Sequence, residues 1–245
     1  MGKDDAYLNT LRADRTEAHA YHTKSVVKTE QQKALEHILQ ERGFAPKAIG
    51  DMACGGGSLS HHLRSAYPDA QFTLCDMDPY ALELAEQLNG RNGFTYLADD
   101  LNSLEGLADG RFDLTFCWQT LLMVVEPATV LRQLVRVTRP GGSIFCSSLF
   151  NLDHDVDLRT AIIDHTRPSA ASGEWMVHYA TYSRRTIASW LDGIATAHWI
   201  HPFVPAVDIQ NDSKGLGTFT VNSDRGRLQI SGGILMNWGI LEIRK

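Results

Sequence analysis

Three short apolar runs of the chain each end in an acidic residue, and the first of them leads into a glycine-rich turn. Residues 47–57 pass through an apolar stretch to Asp51 and end in three consecutive glycines, and the next two runs end at Asp76 and Asp100. Glycines let main-chain amides approach a ligand, and the first N–H groups of a following helix have no partner within that helix. A carboxylate about 20 residues beyond such a loop can accept both hydrogen bonds of a ribose diol. This spacing predicts a ligand that contains a ribose.

The glycine-rich turn does not match the dinucleotide pattern G-x-G-x-x-G. Gly57 is followed by Ser58, Leu59 and Ser60, so the last glycine of that pattern is missing. The carboxylate of Asp51 would repel a pyrophosphate, and it suits an amino group. The sequence therefore favours a nucleoside with an amino group over a dinucleotide.

Residues 51–57, Asp-Met-Ala-Cys-Gly-Gly-Gly, resemble the first motif D-x-G-x-G-x-G of the class I methyltransferases that depend on S-adenosylmethionine (SAM). Ala53 stands in place of the first glycine. Residues 74–79 look like the end of the family's second strand, residues 112–116 like its fourth strand, and residues 139–142 like the turn before its fifth. The resemblance covers residues 47–150 and implies SAM as the cofactor.

The resemblance also implies a role for individual residues. Asp76 would bind the ribose hydroxyls, and Asp100 would accept a hydrogen bond from the adenine amino group. Trp118 and Gln119 occupy the position after the fourth strand where family members contact the methyl donor or acceptor, although Trp118 could equally pack under the sheet edge. The full set expected to bind the cofactor is Asp51, Ala53, Gly55, Gly57, Asp76, Met77, Asp100, Leu101, Trp118 and Tyr21.

Methyl transfer from a sulfonium requires mainly that a nucleophile is aligned with the C–S bond and that water is excluded. A general base helps only if the nucleophile starts protonated. The candidates for orienting or deprotonating an acceptor are His178, Tyr179 and Asn151. A hydrogen-bonded surface or lid residue is the alternative for His178 and Tyr179, since a lone histidine is rarely catalytic.

Composition limits the classes of partner. The formal net charge is -6, which argues against nucleic acid, so a small-molecule substrate is expected. The four cysteines show no C-x-x-C spacing and indicate reduced, buried thiols. With neither a signal peptide nor an apolar run near 18 residues, we expect a cytoplasmic protein without membrane contact. The oligomeric state stays open, with a homodimer among the options.

Apolar periodicity alternates between strands and helices from Ala48 to Leu149. Such alternation is typical of a doubly wound, mostly parallel α/β sheet that binds ligands at the carboxyl ends of its strands, and the family resemblance implies seven strands in a Rossmann-like methyltransferase fold. We expect one domain over residues 1–245, with an N-terminal lid at 1–26, a lid insertion at 151–182 and an added C-terminal β-hairpin at 216–231.

A polar stretch after the fifth strand contains side chains that could bind a metal ion: Asp153, His154, Asp155, Asp157 and His165. The run has no compact ligand spacing, so solvated charges are favoured and no metal is predicted.

Three functions remain open. The first is methyl transfer to an oxygen or nitrogen of a small molecule, for instance in biosynthesis. The second is another SAM reaction on the same scaffold, such as cyclisation of SAM to azetidine-2-carboxylate with release of methylthioadenosine. The third is a non-catalytic SAM-binding interaction module.

Overall fold

A computed structural model describes residues 19, 23, 27–162, 177–210, 218–231, 233–236 and 238–245, with the backbone alone for residues 162, 177 and 178. The helices are α1 (Glu30–Arg42), α2 (Ser58–Ala66), α3 (Pro79–Asn89), α4 (Pro127–Val137) and α5 (Arg184–Leu191). The strands are β1 (Ala48–Met52), β2 (Gln71–Asp76), β3 (Phe94–Ala98), β4 (Phe112–Cys117), β5 (Thr138–Asn151), β6 (Leu158–Ile162), β7 (Val177–Ser183), β8 (Ala197–Pro202), β9 (Thr218–Ser223), β10 (Gly226–Ser231), β11 (Ile234–Leu235) and β12 (Trp238–Arg244).

Local sequence signals explain where the helices begin and end. Thr29 and Gln32 form a capping box at the start of α1, and Gly43 ends that helix in a left-handed conformation. Asp78 caps α3 through a bond from the Tyr80 N–H, and Ser183 caps α5 in the same way. These contacts fix where each helix meets the loop before it.

The main sheet has the order β3-β2-β1-β4-β5-β12-β8. Its first five strands are parallel, and β12 runs antiparallel to both β5 and β8. The predicted doubly wound, mostly parallel seven-stranded sheet is confirmed. Strand order reverses between β1 and β4, so a crevice opens there at the carboxyl ends of the strands, where such sheets bind ligands.

Helices cover both faces of this sheet. On one face, α4 and α5 pack through Leu134 and Ile187, and Cys146 of β5 belongs to the same hydrophobic cluster. On the other face, α1 and α2 pack in a second cluster that includes the neighbouring Phe145. Adjacent residues of β5 therefore enter opposite clusters, as expected for a sheet buried on both sides.

The described ends of the predicted insertion at 151–182 extend the sheet. Strand β7 pairs in parallel with the last three residues of β5, and β6 pairs antiparallel with β7. Leu149 pairs with Trp238 on one side and Thr181 on the other. Residues 163–176 lie outside the described part of the chain, and the lid role of this segment remains a prediction.

A small second sheet follows β8 and has the order β11-β10-β9. Strands β9 and β10 pair antiparallel from Thr218 to Ser231, at the position predicted for the added hairpin. Trp238, at the start of β12, donates from its indole to Ser231 and so joins this sheet to the main one.

Candidate functional site

The glycine-rich loop after β1 adopts a backbone that few residues tolerate. Ala53, Gly55 and Gly57 have φ values of 58°, 52° and 76°. A Cβ added to Gly57 would lie 2.6 Å from Asn89 Nδ2 and 2.9 Å from Ala85 Cβ. The loop therefore presses α2 against α3 and presents main-chain amides at the carboxyl edge of the sheet.

Asp51 is a buried carboxylate at the end of β1. Its side chain is 1% exposed, and Oδ2 accepts a hydrogen bond of 2.7 Å from the Ser60 hydroxyl. Oδ1 is buried and has no partner among the described residues. Burial raises the pKa of Asp51 to about 7. The hydrogen bond from Ser60 lowers this pKa, and the negative charge of the nearby Asp76 raises it. A ligand cation beside Oδ1 would satisfy the unpaired oxygen and stabilise the charge.

Asp76 ends β2 one strand away and binds the glycine loop directly. Its Oδ2 accepts from the Gly55 N–H at 2.8 Å, and its Oδ1 accepts from the Asp78 N–H at 2.9 Å. Burial raises the pKa of Asp76, although these backbone bonds oppose the shift. Each carboxylate oxygen keeps one lone pair, which is what two ribose hydroxyls require. Met77 is partly buried beside it.

Asp100 lies in the turn after β3. It is exposed, and its Oδ1 accepts from both the backbone N–H and the side-chain amide of Asn102. Leu101 is 8% exposed, and its side chain packs in the core. The neighbouring Asp99 accepts from the N–H groups of Asp100 and Gly106 and closes the turn.

The segment after β4 forms the opposite wall of the crevice. Trp118 is partly buried and packs against the cluster that holds α1 and α2. Gln119 is exposed and has a φ of 55°, unusual for a residue other than glycine. Gln31 of α1 accepts from Gln119 Nε2 at 3.0 Å and from Ser147 Oγ at 2.8 Å. Sequence reasoning missed Gln31 and Ser147, because no local motif marks them.

The three predicted catalytic residues lie on two neighbouring strands: Asn151 is the last residue of β5, and His178 and Tyr179 lie on β7 before Thr181, which pairs with Leu149. Asn151 is 7% exposed, donates to the Val156 carbonyl at 2.9 Å and accepts from the His154 N–H at 3.2 Å, so it organises the loop that follows. Tyr179 is partly buried on β7, two residues before the Thr181 that pairs with β5. The backbone of His178 pairs with Ala161 of β6, and its side chain lies outside the described residues.

The N-terminal segment is described at two positions before residue 27. Tyr21, like the neighbouring His22 and Lys24, lies outside the described residues. His19 is exposed, and its Nδ1 lies 3.2 Å from the hydroxyl of Tyr80, two residues beyond the cap of α3. This contact places His19 close to the Asp76 loop.

The predicted buried thiols and the polar stretch after β5 can be placed as well. All four cysteines are free, three of them buried and Cys54 partly so. Asp157 accepts from the Ser183 N–H and the Thr186 hydroxyl at the start of α5. Within the described ranges, no three His, Cys, Asp or Glu side chains group as metal ligands; His165 is outside those ranges. Among the described residues, no helix has both the length and the apolar character needed to span a membrane.

Known proteins resemble the chain most clearly over the crevice-forming strands. Residues 50–146 match the model of a family described as "Methyltransferase domain". The ubiquinone biosynthesis O-methyltransferase of Xanthomonas oryzae pv. oryzae is 31% identical over 118 residues, which cover 47% of this chain and 48% of that protein. The malonyl-acyl-carrier-protein O-methyltransferase of Hahella chejuensis is 31% identical over 108 residues, covering 44% and 38%. The chain thus spans less than half the length of these relatives.

A solved structure extends the likeness along the chain. The 1,6-didemethyltoxoflavin-N1-methyltransferase of Burkholderia thailandensis, crystallised with 1,6-didemethyltoxoflavin and S-adenosylhomocysteine, gives a TM-score of 0.61. The match covers 100% of this chain and 91% of that one at 15% identity. At this identity the likeness shows the fold.

Proposed function

Because residues 50–146 match the model of a methyltransferase domain family and O-methyltransferases are among the similar proteins, we propose that this protein transfers the methyl group of SAM to an oxygen or nitrogen of a small molecule. The observation that carries the proposal is Asp51, whose buried and unpaired Oδ1 stands beside the glycine loop and one strand from Asp76. Bound SAM supplies a methyl group made electrophilic by its sulfonium, and the protein aligns this methyl group with the acceptor.

The residues of the crevice fit the parts of SAM. Asp51 pairs with the amino group, the Asp76 carboxylate accepts from the ribose hydroxyls, and Asp100 accepts from the adenine amino group. Two of these carboxylates already bind backbone N–H groups of the loops they organise. The remaining cofactor contacts are assigned to Ala53, Gly55, Gly57, Met77, Leu101, Trp118 and Tyr21.

On the acceptor side, Trp118 and Gln119 border the crevice opposite the glycine loop. Asn151 is the last residue of β5 and Tyr179 lies on the neighbouring β7, and we keep them with His178 as the candidates that orient or deprotonate an acceptor. Their involvement depends on whether the acceptor arrives protonated. An acceptor that is already anionic needs only alignment and exclusion of water.

Relatives support the range of acceptors. Two are named as O-methyltransferases and one as an N1-methyltransferase, so we propose oxygen or nitrogen on a small molecule. The N-terminal segment and residues 151–182 would close over the reactants. The contact of His19 with Tyr80 supports this role for the N-terminal segment.

The test is product analysis by mass spectrometry. The protein is incubated with SAM alone and with SAM plus a library of phenols, carboxylic acids and aromatic amines. S-adenosylhomocysteine should accumulate only when an acceptor is present, and Asp51→Asn should suppress it. Methylthioadenosine formed from SAM alone above the no-enzyme background would refute methyl transfer in favour of cyclisation. SAM binding without turnover of any acceptor would favour a non-catalytic module.

A further inference from the structure

The first turn of α1 reaches the acceptor wall of the crevice through one side chain. Gln31 is 7% exposed, and its amide oxygen accepts from Gln119 Nε2 at 3.0 Å and from Ser147 Oγ at 2.8 Å. These two donors lie 88 and 116 residues further along the chain. Gln31 therefore bridges α1, the segment after β4 and strand β5 at one point.

The two donors leave the amide of Gln31 little freedom. Ser147 is fully buried on β5, and Gln119 is held in a left-handed backbone conformation. Both donate to the same oxygen, so the nitrogen of the amide faces away from them. Neither N–H of Gln31 Nε2 has a hydrogen-bond partner among the residues that the structure describes. The amide nitrogen of Gln31 is therefore available to donate a hydrogen bond to a ligand, while its oxygen is fixed by two donors.

An apolar cluster lies one helical turn beyond Gln31. Ala34 follows one turn later on the same helix face and packs against a cluster that we call the end cluster, formed by Leu122, Leu149, Phe203, Ile234 and Trp238. Three partly buried side chains, Met123, Tyr179 and Met236, pack against the same cluster. Thioethers and an aromatic ring suit an apolar, flat ligand body.

We infer that Gln31 is a specificity residue for the acceptor. Its Nε2 donates a hydrogen bond to an oxygen of the acceptor, while the apolar body of the acceptor lies against the partly buried side chains of the end cluster. This inference rests on the proposed function. Within that function, Gln31 favours an apolar acceptor that carries a phenolic, carbonyl or carboxylate oxygen, and it disfavours an acceptor that carries an amine at the same place.

Two neighbouring glutamines allow a matched experiment. Gln31→Glu keeps the oxygen that accepts from Gln119 and Ser147 and removes the donor. Gln32→Glu adds the same charge one residue along and keeps the capping box, which accepts glutamate at that position. Gln31→Met removes both the accepting oxygen and the donating nitrogen, and the methionine side chain is uncharged and similar in volume. Thermal unfolding identifies any variant that is not folded.

The probes differ in one atom. Calorimetry with the S-adenosylhomocysteine complex compares 4-methylphenol with 4-methylaniline, and a separate titration measures SAM affinity. Wild type and Gln32→Glu should prefer the phenol by about fivefold, the size of one hydrogen bond. Gln31→Met should lose that preference with SAM affinity unchanged.

Several results would overturn the inference. The first is that wild type binds neither probe or binds both equally. The second is that Gln32→Glu loses the preference for the phenol as fully as Gln31→Met does. The third is a fall in SAM affinity on changing Gln31, which would place the amide against the methyl donor. A failure of the proposed function is seen separately, because wild type would then not bind SAM or would form methylthioadenosine.

Discussion

At the scale of single residues, the binding of a ribose by Asp76 can be tested against a control that also loses a bond to a backbone N–H group. Asp76→Asn keeps one oxygen and replaces the other with a donor that cannot accept from a hydroxyl. SAM affinity measured by calorimetry should fall at least about tenfold, since bonds to a charged group contribute about 1.5–3 kcal/mol. Asp113→Asn is the control, because Asp113 also accepts two backbone N–H groups but lies near the amino end of β4, away from the crevice. Equal affinities for wild type and folded Asp76→Asn would refute the assignment.

The raised pKa of Asp51 predicts that SAM binding depends on pH. Burial sets this pKa at about 7, so lowering the pH from about 8 to about 6 protonates the carboxylate and removes its attraction for the amino group. Below the pKa, affinity should approach a tenfold loss per pH unit. Asp51→Asn should bind SAM weakly at every pH and show no such slope. A wild-type affinity that stays flat across this range would contradict the role.

The same carboxylate should destabilise the ligand-free protein at neutral pH. The folded-state pKa lies above the ordinary value, so the stabilising contribution is present at low pH and is lost as the pH rises through about 7. At about pH 8, Asp51→Asn should therefore unfold at a temperature higher by at least about 2 °C. A lower unfolding temperature for Asp51→Asn would show that a hydrogen-bond or charge partner stabilises the ionised Asp51 carboxylate even without SAM.

At the scale of elements, the loop after β1 explains why the motif carries glycine where this chain has Ala53. A left-handed φ of 58° costs an L-residue about 1–2 kcal/mol. Ala53→Gly should raise the free energy of unfolding by about 0.5–1 kcal/mol in urea titrations, after the entropic cost of glycine is subtracted. Ala188→Gly, inside α5, should lower it by about 0.5–1 kcal/mol. Destabilisation by both changes would show that Ala53 is not strained.

Local patterns predicted the elements that hold the cofactor side of the crevice. The acidic strand ends at Asp51 and Asp76 are each encoded within a few residues, and the structure has them there. The caps at Thr29, Asp78 and Ser183 are equally local in sequence. The acceptor side is built differently. Residues far apart in sequence meet there, as in the hydrogen bonds from Gln119 and Ser147 to Gln31, and no short window contains that information.

At the scale of the whole molecule, the alternation of strands and helices predicted a doubly wound, mostly parallel sheet, and the structure confirms that fold. The pairing of β7 with the end of β5 was not predicted. Residues 151–182 are polar and lack a clear period, so their sequence does not show that part of the segment extends the sheet. The pairing of β7 with β5 is decided by contacts between residues far apart in sequence, and these contacts override the weak strand propensity of the segment.

One ionic network joins α1 to the far edge of the sheet. Glu242 of β12 is 3% exposed and accepts from Arg42 Nε at 3.1 Å, Arg42 Nη2 at 2.9 Å and, when the imidazole is protonated there, His201 Nε2 at 2.9 Å. Burial would raise the pKa of Glu242, but the bonds from His201 and Arg42 outweigh it and lower this pKa. Its stabilising contribution is therefore present above the ordinary glutamate pKa and is lost as the pH falls through the lower folded value.

Removing the cation of this network should loosen α1, and with it Gln31, from the sheet. Arg42→Met keeps the apolar stem and leaves Glu242 buried without its main partner, so the free energy of unfolding at neutral pH should fall by about 1–3 kcal/mol. Arg91→Met is the matched control, because Arg91 binds Glu86 through the same two nitrogens on an exposed surface, where solvent weakens the pair. Urea titrations of both variants measure the difference, and repeating them near pH 4 should reduce the effect of Arg42→Met as Glu242 becomes protonated. Equal losses for the two variants would mean that Glu242 gains nothing from its burial beside Arg42, and that α1 is held to the sheet by apolar packing alone.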